Sequence, residues 1–577
     1  MERIVRVSAR TGTIESMPIP EQMRFRGGRQ MIAHLLRDEV DPGCAPLGRG
    51  NKLILAPGWL GGTAVPMSGR LSIGGKSPLT GGIKESNVGG EAGQALAKAG
   101  IRALVVEDAP DTLTARVLWL GPSSARWIED LSLAGCGVRE TFSRLRERFG
   151  ERCAVVAIGP AGEHRMAGAG VATTDASGVQ VRYAGRGGLG AVMGSKGIKA
   201  IVIDDDGALP LTGADPAALR EASKRFTEII LSNPAGLERR QKLGTAAIVG
   251  PSNELGFLPT RNFREGSFDG IDGITGERLS ETIAERGGEG RSGTPCMTGC
   301  IIRCSNVYPD SDGQRKVATL QYENIALLGS NCGIDTLDGI AELNAQCNDI
   351  GLDTIEMGCA LGVAMEAGLA AFGDAEAASE LLRQVAEATP LGRILGQGAA
   401  FAGRALGVRR VPTVKGQGIP GYDPRALKGN GITYAMSPMG ADHTAGNAFG
   451  TARTLDPLCE AGQLENSRAL QIRATILDMS GLCLFARAPF TEDAELLADL
   501  VNGRFGTRLT FADIAQQSAD TIDIERQWNA DAGVPDCLAD VPEFMRDEPL
   551  PPHQTVYDIS MKTMQSIWEI EPNRTKF

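Results

Sequence analysis

The chain has 577 residues, 42% apolar and 22% charged, which excludes a disordered or collagen-like polymer and predicts about two to four domains. A net charge of −11 repels phosphate backbones, and aromatic residues at 5% offer few stacking platforms, so nucleic acid is not an expected partner. No apolar run approaches the ~18 residues of a membrane helix. The start, MERIVRVSARTG, has no apolar signal core, so no membrane partner and a cytoplasmic location are expected.

Residues up to Asp205 read as strand-rich. IVRVSARTGTIES is two short strands around a turn at Thr11-Gly12. LILAPGWL, ALVVED, RVLWL, CAVVAIG and KAIVID are further apolar runs of strand length, punctuated by Gly, Pro and Asp. Short helices are expected over Gly93–Lys98 and Glu140–Arg148. The pattern changes near Asp206. PAALREASKRFTEIILS, TLDGIAELNAQCNDIG and TIEMGCALGVAMEAGLAAFG read as helices. A Gly/Pro-rich connection follows Leu406, and helix resumes from Asn466. No tandem repeat of 20–50 residues is visible. The expected fold class is α+β: a β-sheet base domain over 1–208, then two mainly α-helical domains, 209–409 and 410–577.

Four histidines leave no room for a His-rich metal site, and the 12 cysteines point to metal or redox chemistry over disulfides. TPCMTGCIIRCSNVY holds Cys296, Cys300 and Cys304 at C-x3-C-x3-C spacing. Zinc sites usually join two cysteine pairs. A 4Fe–4S cluster takes four thiolates, often three close together and one distant. Cys483, in ILDMSGLCLFAR, is the best candidate for the fourth, because a Gly-Leu that closes a helix would fix its position. The bland alternative is a buried small apolar residue.

That Gly-Leu has a counterpart. Asn348-Asp349-Ile350-Gly351-Leu352-Asp353 and Asp478-Met479-Ser480-Gly481-Leu482-Cys483 both read polar-x-x-Gly-Leu-x at a helix end. Asp353 with Glu356 resembles a cap for the next helix. Singly these are ordinary helix stops; together they suggest two matched rims around one ligand of approximate two-fold symmetry. A carboxylate there suits a heterocycle with N–H donors. Two glycine-rich runs, GRLSIGGKSPLTGG with SNVGG and AGRGGLGAVMGSK, match neither the Walker nor the dinucleotide pattern. Their small residues admit an anion to backbone N–H groups, and Arg70 and Arg186 suit phosphate.

The chain resembles the tungsten-dependent aldehyde ferredoxin oxidoreductases. The resemblance is carried, in order, by SGRLSIGGKSPLTG, SNVGG, AGRGGLGAVMGSK, the three-cysteine segment, YENIALLGSNCGI, CNDIGLDTI, GYDPRALKGNGITYA and LDMSGLCLF. It implies tungsten (or molybdenum) held by two molybdopterins, a 4Fe–4S cluster beside them, and a bridging magnesium. It further implies that Cys296, Cys300, Cys304 and Cys483 ligate the cluster, with Arg70 between cluster and pterin. Asn87, Gly89, Arg186 and Gly187 would face the phosphates and magnesium. Asn348, Leu352 and Asp353 would hold one pterin, Asp478 and Leu482 the other, and Glu323 and His443 would be the acid–base groups near the metal. The activity implied is oxidation of an aldehyde to an acid, with electrons leaving to a ferredoxin or an iron–sulfur subunit.

The chain departs from the family pattern in places. The first cysteine gap has one extra residue, Asn348 stands where Asp is usual, and Ala445 stands where a basic residue is common. Glu342 suits the family's iron-bridged dimer, but no His lies between His164 and His443, so that mode is expected to be absent and another oligomer remains open. The alternatives are a reductase of aryl-CoA rings or carboxylic acids, and, in a different class, a zinc-stabilised binding protein with no redox role.

Overall fold

The apolar runs before residue 205 build two mixed six-stranded sheets in the computed structural model, which describes residues 2–112, 115–178, 181–573 and 575–577. The first contains β1 (Arg3–Ser8), β2 (Ile14–Pro18), β3 (Leu53–Pro57), β4 (Leu71–Lys76), β5 (Ile83–Val88) and β6 (Ile101–Glu107), in the order β2-β1-β6-β3-β4-β5. The second contains β7 (Arg116–Leu120), β8 (Ala125–Glu129), β9 (Ala154–Ala157), β10 (Val171–Thr174), β11 (Val181–Ala184) and β12 (Ile198–Ile203). Taken from its far edge its order is β8-β7-β12-β9-β10-β11, the same topology. In each sheet the first and last strands in sequence pair parallel, β1 with β6 and β7 with β12, and the other neighbours are antiparallel.

Helices fill the same slots in both halves. Gly28–Glu39 and Val138–Phe149 link the second strand to the third, and Ala92–Lys98 and Leu189–Ser195 link the fifth to the sixth. Gly100–Val106 and Gly197–Ile203 match residue for residue, GIRALVV against GIKAIVI, and both glycines have positive φ (74° and 66°). The base domain is therefore two copies of one motif. This repeat is longer than a 20–50-residue tandem period, and its remaining strands have diverged in sequence. Leu104, Val106, Ile201 and Ile203 lie in one core that joins the sheets. Each such fully buried side chain contributes about 1.5–3 kcal/mol.

Beyond residue 205 the chain is mainly helical, with one insertion that matters for function. Arg291–Thr294, Ser305–Pro309 and Arg315–Val317 form a three-stranded sheet, and its first hairpin loop carries Cys296, Cys300 and Cys304. The apolar cores interleave across the expected limit at 409/410. Leu219, Ala222 and Phe226 of the Pro216–Leu231 helix pack with Leu496, Leu500 and Ile514 of the C-terminal helices. Val414, Ile432 and Tyr557 join the core of the Tyr322–Leu328 and Thr354–Glu366 helices. Amphipathic faces pair by shape, so chain order does not dictate which helices share a core. Among the described residues no single helix is long and apolar enough to cross a membrane.

Candidate active site

Two helix ends dock on the duplicated base in the same way. The Leu337–Ile350 helix stops at Gly351 (φ 85°), and the amides of Gly351 and Leu352 both return to the Cys347 carbonyl, at 2.9 and 2.8 Å. The Gln463–Ser480 helix stops at Gly481 (φ 76°), with Gly481 and Leu482 returning to Leu477. Glycine is required at both, because the left-handed turn costs a side-chain-bearing residue ~1–2 kcal/mol. Each turn is then gripped by one half of the base. Gly170 N–H donates to Gly351 O at 3.0 Å and Asp353 N–H to Gly168 O at 3.0 Å. Arg70 N–H donates to Gly481 O at 3.1 Å and Cys483 N–H to Met67 O at 3.0 Å. Backbones touch at both grips. A Cβ on Gly58 would sit 2.0 Å from Gly481 N, and one on Gly159 2.3 Å from Ile350 O.

The second grip carries Cys483 to the three-cysteine loop. Cys296 and Cys300 hydrogen-bond through their thiols, and Cys304 and Cys483 interact electrostatically with both and with each other. The Cys296 thiol is pushed up by that bond and by burial, while Cys300, the acceptor, is lowered. Burial and the Cys483 neighbour raise Cys304 to about 12. The loop is pinned by Glu91, which accepts from Thr298 N–H at 2.6 Å, and by Met67 N–H donating to Gly299 O at 3.2 Å. A zinc ion needs donors converging at about 2.3 Å. Among the described residues no three His, Cys, Asp or Glu side chains are set to hold a single metal ion.

Two adjoining cavities open at this point. The inner one, about 290 Å³, is lined by Arg70, Asn87, Gly89, Cys296, Cys304, Asp478, Leu482 and Cys483. Arg70 binds Asn87 and lies beside the thiols. A Cβ on Gly89 would stand 3.2 Å from Cys296 Sγ. Arg29 lies 3.6 Å from Asp478 but is taken by Glu525 through two bonds of 2.8 and 2.7 Å, and Arg70 also acts on Asp478. Burial, then the like charge of Glu85, push the Asp478 carboxyl well up.

The outer cavity, about 470 Å³, is lined by Tyr322, Glu323, Tyr422, His443, Phe449 and Phe485 among others, and His443 borders both cavities. His443 Nε2 lies 3.5 Å from Glu323 Oε1, with the two side chains 17% and 15% exposed. Gly421 N–H donates to Glu323 Oε2 at 2.8 Å, and burial raises the Glu323 carboxyl above its ordinary value. Glu323 Oε1 and His443 Nδ1 have no hydrogen-bond partner among the described residues.

The remaining sequence-predicted residues lie behind the inner cavity. Arg186 pairs with Asp353 at 3.2 Å, and its guanidinium also donates to the Gly418 and Ala441 carbonyls. Gly187 (φ 83°) lies under Lys84, the Asn348 carbonyl accepts from Tyr183, and Leu352 is buried. Asp353 caps the next helix through Ile355 N–H, but Glu356 does not complete a capping box. It is buried and instead accepts from Ala399 and Gly418 N–H. Glu342 pairs with Lys316. Arg182 and Arg240, both electrostatic neighbours of Cys304, escaped the sequence reading. Neither sits in a motif, and no local signal marks them.

Comparison with known proteins gives the class. The family model described as the N-terminal domain of aldehyde ferredoxin oxidoreductase matches residues 4–205, and the one for domains 2 and 3 matches 221–568. These are oxidoreductase domains. The chain belongs to the aldehyde ferredoxin oxidoreductase family. It is 32% identical to the tungsten-containing aldehyde ferredoxin oxidoreductase of Pyrococcus abyssi, over 95% of this chain and 92% of that one. It is 26% identical to the WOR-like subunit of an aliphatic sulfonate oxidoreductase of Pyrococcus furiosus, over 76% and 73%. The active-site complex BamBC of benzoyl coenzyme A reductase shares the fold, with a TM-score of 0.79, 18% identity, and coverage of 98% and 92%.

Proposed function

We propose that this chain oxidises aldehydes to carboxylic acids at a tungsten (or molybdenum) bis-molybdopterin and passes the electrons through a 4Fe–4S cluster to a ferredoxin or an iron–sulfur subunit. The observation that carries the reading is the meeting of four thiols, from residues 296–304 and from Cys483, beside a cavity that adjoins the Glu323–His443 pair. The residues fit the groups. Cys296, Cys300, Cys304 and Cys483 would hold the cluster. Asp478, whose carboxyl lines the inner cavity, would hold one pterin, with Leu482 beside it. Arg70, Asn87 and Gly89 would take its phosphate and magnesium, and Asn348, Leu352, Asp353, Arg186 and Gly187 would serve the second pterin.

The bound groups supply a two-electron sink and a one-electron exit for RCHO + H2O → RCOO⁻ + 3 H⁺ + 2 e⁻. The chain orients the aldehyde and handles protons. Tyr322, Tyr422 and Phe449 line an apolar approach. Glu323, raised by burial and oriented by Gly421 N–H, would exchange a proton with His443, 3.5 Å away. A cytoplasmic location suits the 12 free cysteines. Anaerobically purified protein is expected to contain tungsten or molybdenum and about four irons, and to reduce a viologen dye with aldehyde. Zinc as the sole metal refutes the reading. Glu323→Gln and His443→Ala are expected to lower kcat by about 10²–10⁴ with metal content retained.

A further inference from the structure

The three-cysteine loop has an outer side that the mechanism leaves unused. Cys296, Cys304 and Cys483 line the inner cavity, but Cys300 does not. Cys300 is half-buried and packs instead with Leu237, Ile301, Leu484 and Phe485, which are half-buried as well. Leu231, at the end of the helix before Leu237, is 50% exposed. This apolar ground is edged by charge of one sign. The chain carries 70 acidic and 59 basic residues, yet 236–244 and 291–304 together hold five basic residues and one acidic, Glu238. The two segments meet at Gly293, where an added Cβ would lie 3.5 Å from the Gln241 carbonyl and 4.0 Å from the Arg303 carbonyl. Arg239, Lys242, Arg291 and Arg303 are exposed, and among the described residues no ion pair or side-chain hydrogen bond engages them. Arginines on the flanking helices are matched: Arg225 with Asp493 and Asp499, Arg278 with Glu285, Arg286 with Asp338. Unpaired charge of one sign on a solvated surface costs little by itself and attracts a partner of the opposite sign.

We propose that this face docks a small acidic iron–sulfur protein, which takes electrons on the Cys300 side of the loop, with Lys242, Arg291 and Arg303 as its basic rim. The inference rests on the reading that the four thiols hold a cluster, and it adds where the electron partner sits and which charge draws it there. The thiols divide by what they face. Three border the cavity that adjoins the Glu323–His443 pair, and one looks outward. Each docking would move one electron from enzyme to carrier, with no bond made or broken, and two dockings would follow each aldehyde. An apolar centre with a charged rim excludes water over a small patch and steers an oppositely charged protein onto it. The rival occupant is a second copy of this chain, which itself carries −11.

Holoenzyme purified anaerobically is assayed with aldehyde and one of two acceptors: an acidic two-cluster ferredoxin, or benzyl viologen, a small dication that needs no docking face. The KM for ferredoxin is expected to rise about tenfold or more as salt goes from about 0.01 to 0.15 M. The Lys242→Glu/Arg291→Glu/Arg303→Glu variant should show a rise of that size already at low salt, with iron content and viologen turnover kept. A ferredoxin KM indifferent to salt, or unchanged in the variant, overturns the proposal. Arg303 adjoins Cys304, so Lys242→Glu/Arg291→Glu takes the place of the triple variant if that one loses iron, and the same rise in KM decides. Surface plasmon resonance on immobilised ferredoxin reads docking without turnover. Saturable binding at low salt that the charge reversal abolishes supports the face; no binding overturns it. If no aldehyde is oxidised while ferredoxin still binds the parent and not the variant, the aldehyde reading fails and the docking face stands. If the parent is a dimer that the charge reversal splits, with ferredoxin turnover unaltered, the face belongs to a second copy and the proposal falls.

Discussion

Around Gly351 the base domain offers Gly170, and the residue after the turn is Asp353. Around Gly481 it offers Arg70, and the residue after the turn is Cys483. The two bonds that grip each turn agree within 0.1 Å between the two places, because main-chain donors and acceptors make them. The side chains are exchanged almost as a mirror. Counting back from Gly100 and Gly197, Gly90 (φ 107°) matches Gly187 (φ 83°), and Gly89 matches Arg186. Each half thus keeps one arginine where the other has glycine. Duplicated backbone holds two helix ends alike, and divergent side chains let one rim end in a carboxylate and the other in a thiol. A symmetric grip thus carries different side chains at its two rims.

The comparison breaks most sharply at the residue after each turn. Cys483→Ser is expected to lose most of the about four irons per chain and the iron–sulfur absorption, while Asp353→Asn keeps both. Iron retained in the serine variant removes Cys483 from the cluster. Next in size are the backbone grips. Gly58→Ala and Gly159→Ala each force a Cβ into the opposing turn, and each should cost about 1–3 kcal/mol in denaturant unfolding. Similar losses sharpen the equivalence of the halves, and a loss at one alone breaks it.

The smallest effect concerns charge at one rim. The folded pKa of Asp478 lies above its unfolded value, through burial first and Glu85 second. The native state therefore binds that proton more tightly, and stability falls as pH rises beyond about 3.9, the ordinary Asp value. Asp478→Asn removes this penalty. The cofactor-free variant is expected to melt above the parent at pH 8 and level with it near pH 4. Thermal melts at both pH values check the sign.

Much of the site was legible because its signals are local. A positive-φ glycine followed by leucine returns two amides to one carbonyl within a few residues, so both helix ends could be read from Gly351-Leu352 and Gly481-Leu482. Three cysteines in one hairpin loop needed no tertiary information either. The duplication was hidden, since apart from GIRALVV and GIKAIVI its likeness lies in strand order. Lys242 and Arg303 were hidden too, for each is an ordinary basic residue until the fold brings helix and loop together at Gly293.

The sequence by itself determined the elements, the two glycine turns and the thiol trio, all decided by torsion angles and hydrogen bonds within a few residues. Only the tertiary structure decided that Gly58 and Gly159 receive those turns, that Cys483 reaches Cys296, and that Arg29 bonds to Glu525 and stands 3.6 Å off Asp478. Those meetings depend on how two sheets and two interleaved helical cores pack, and no short stretch of chain encodes that.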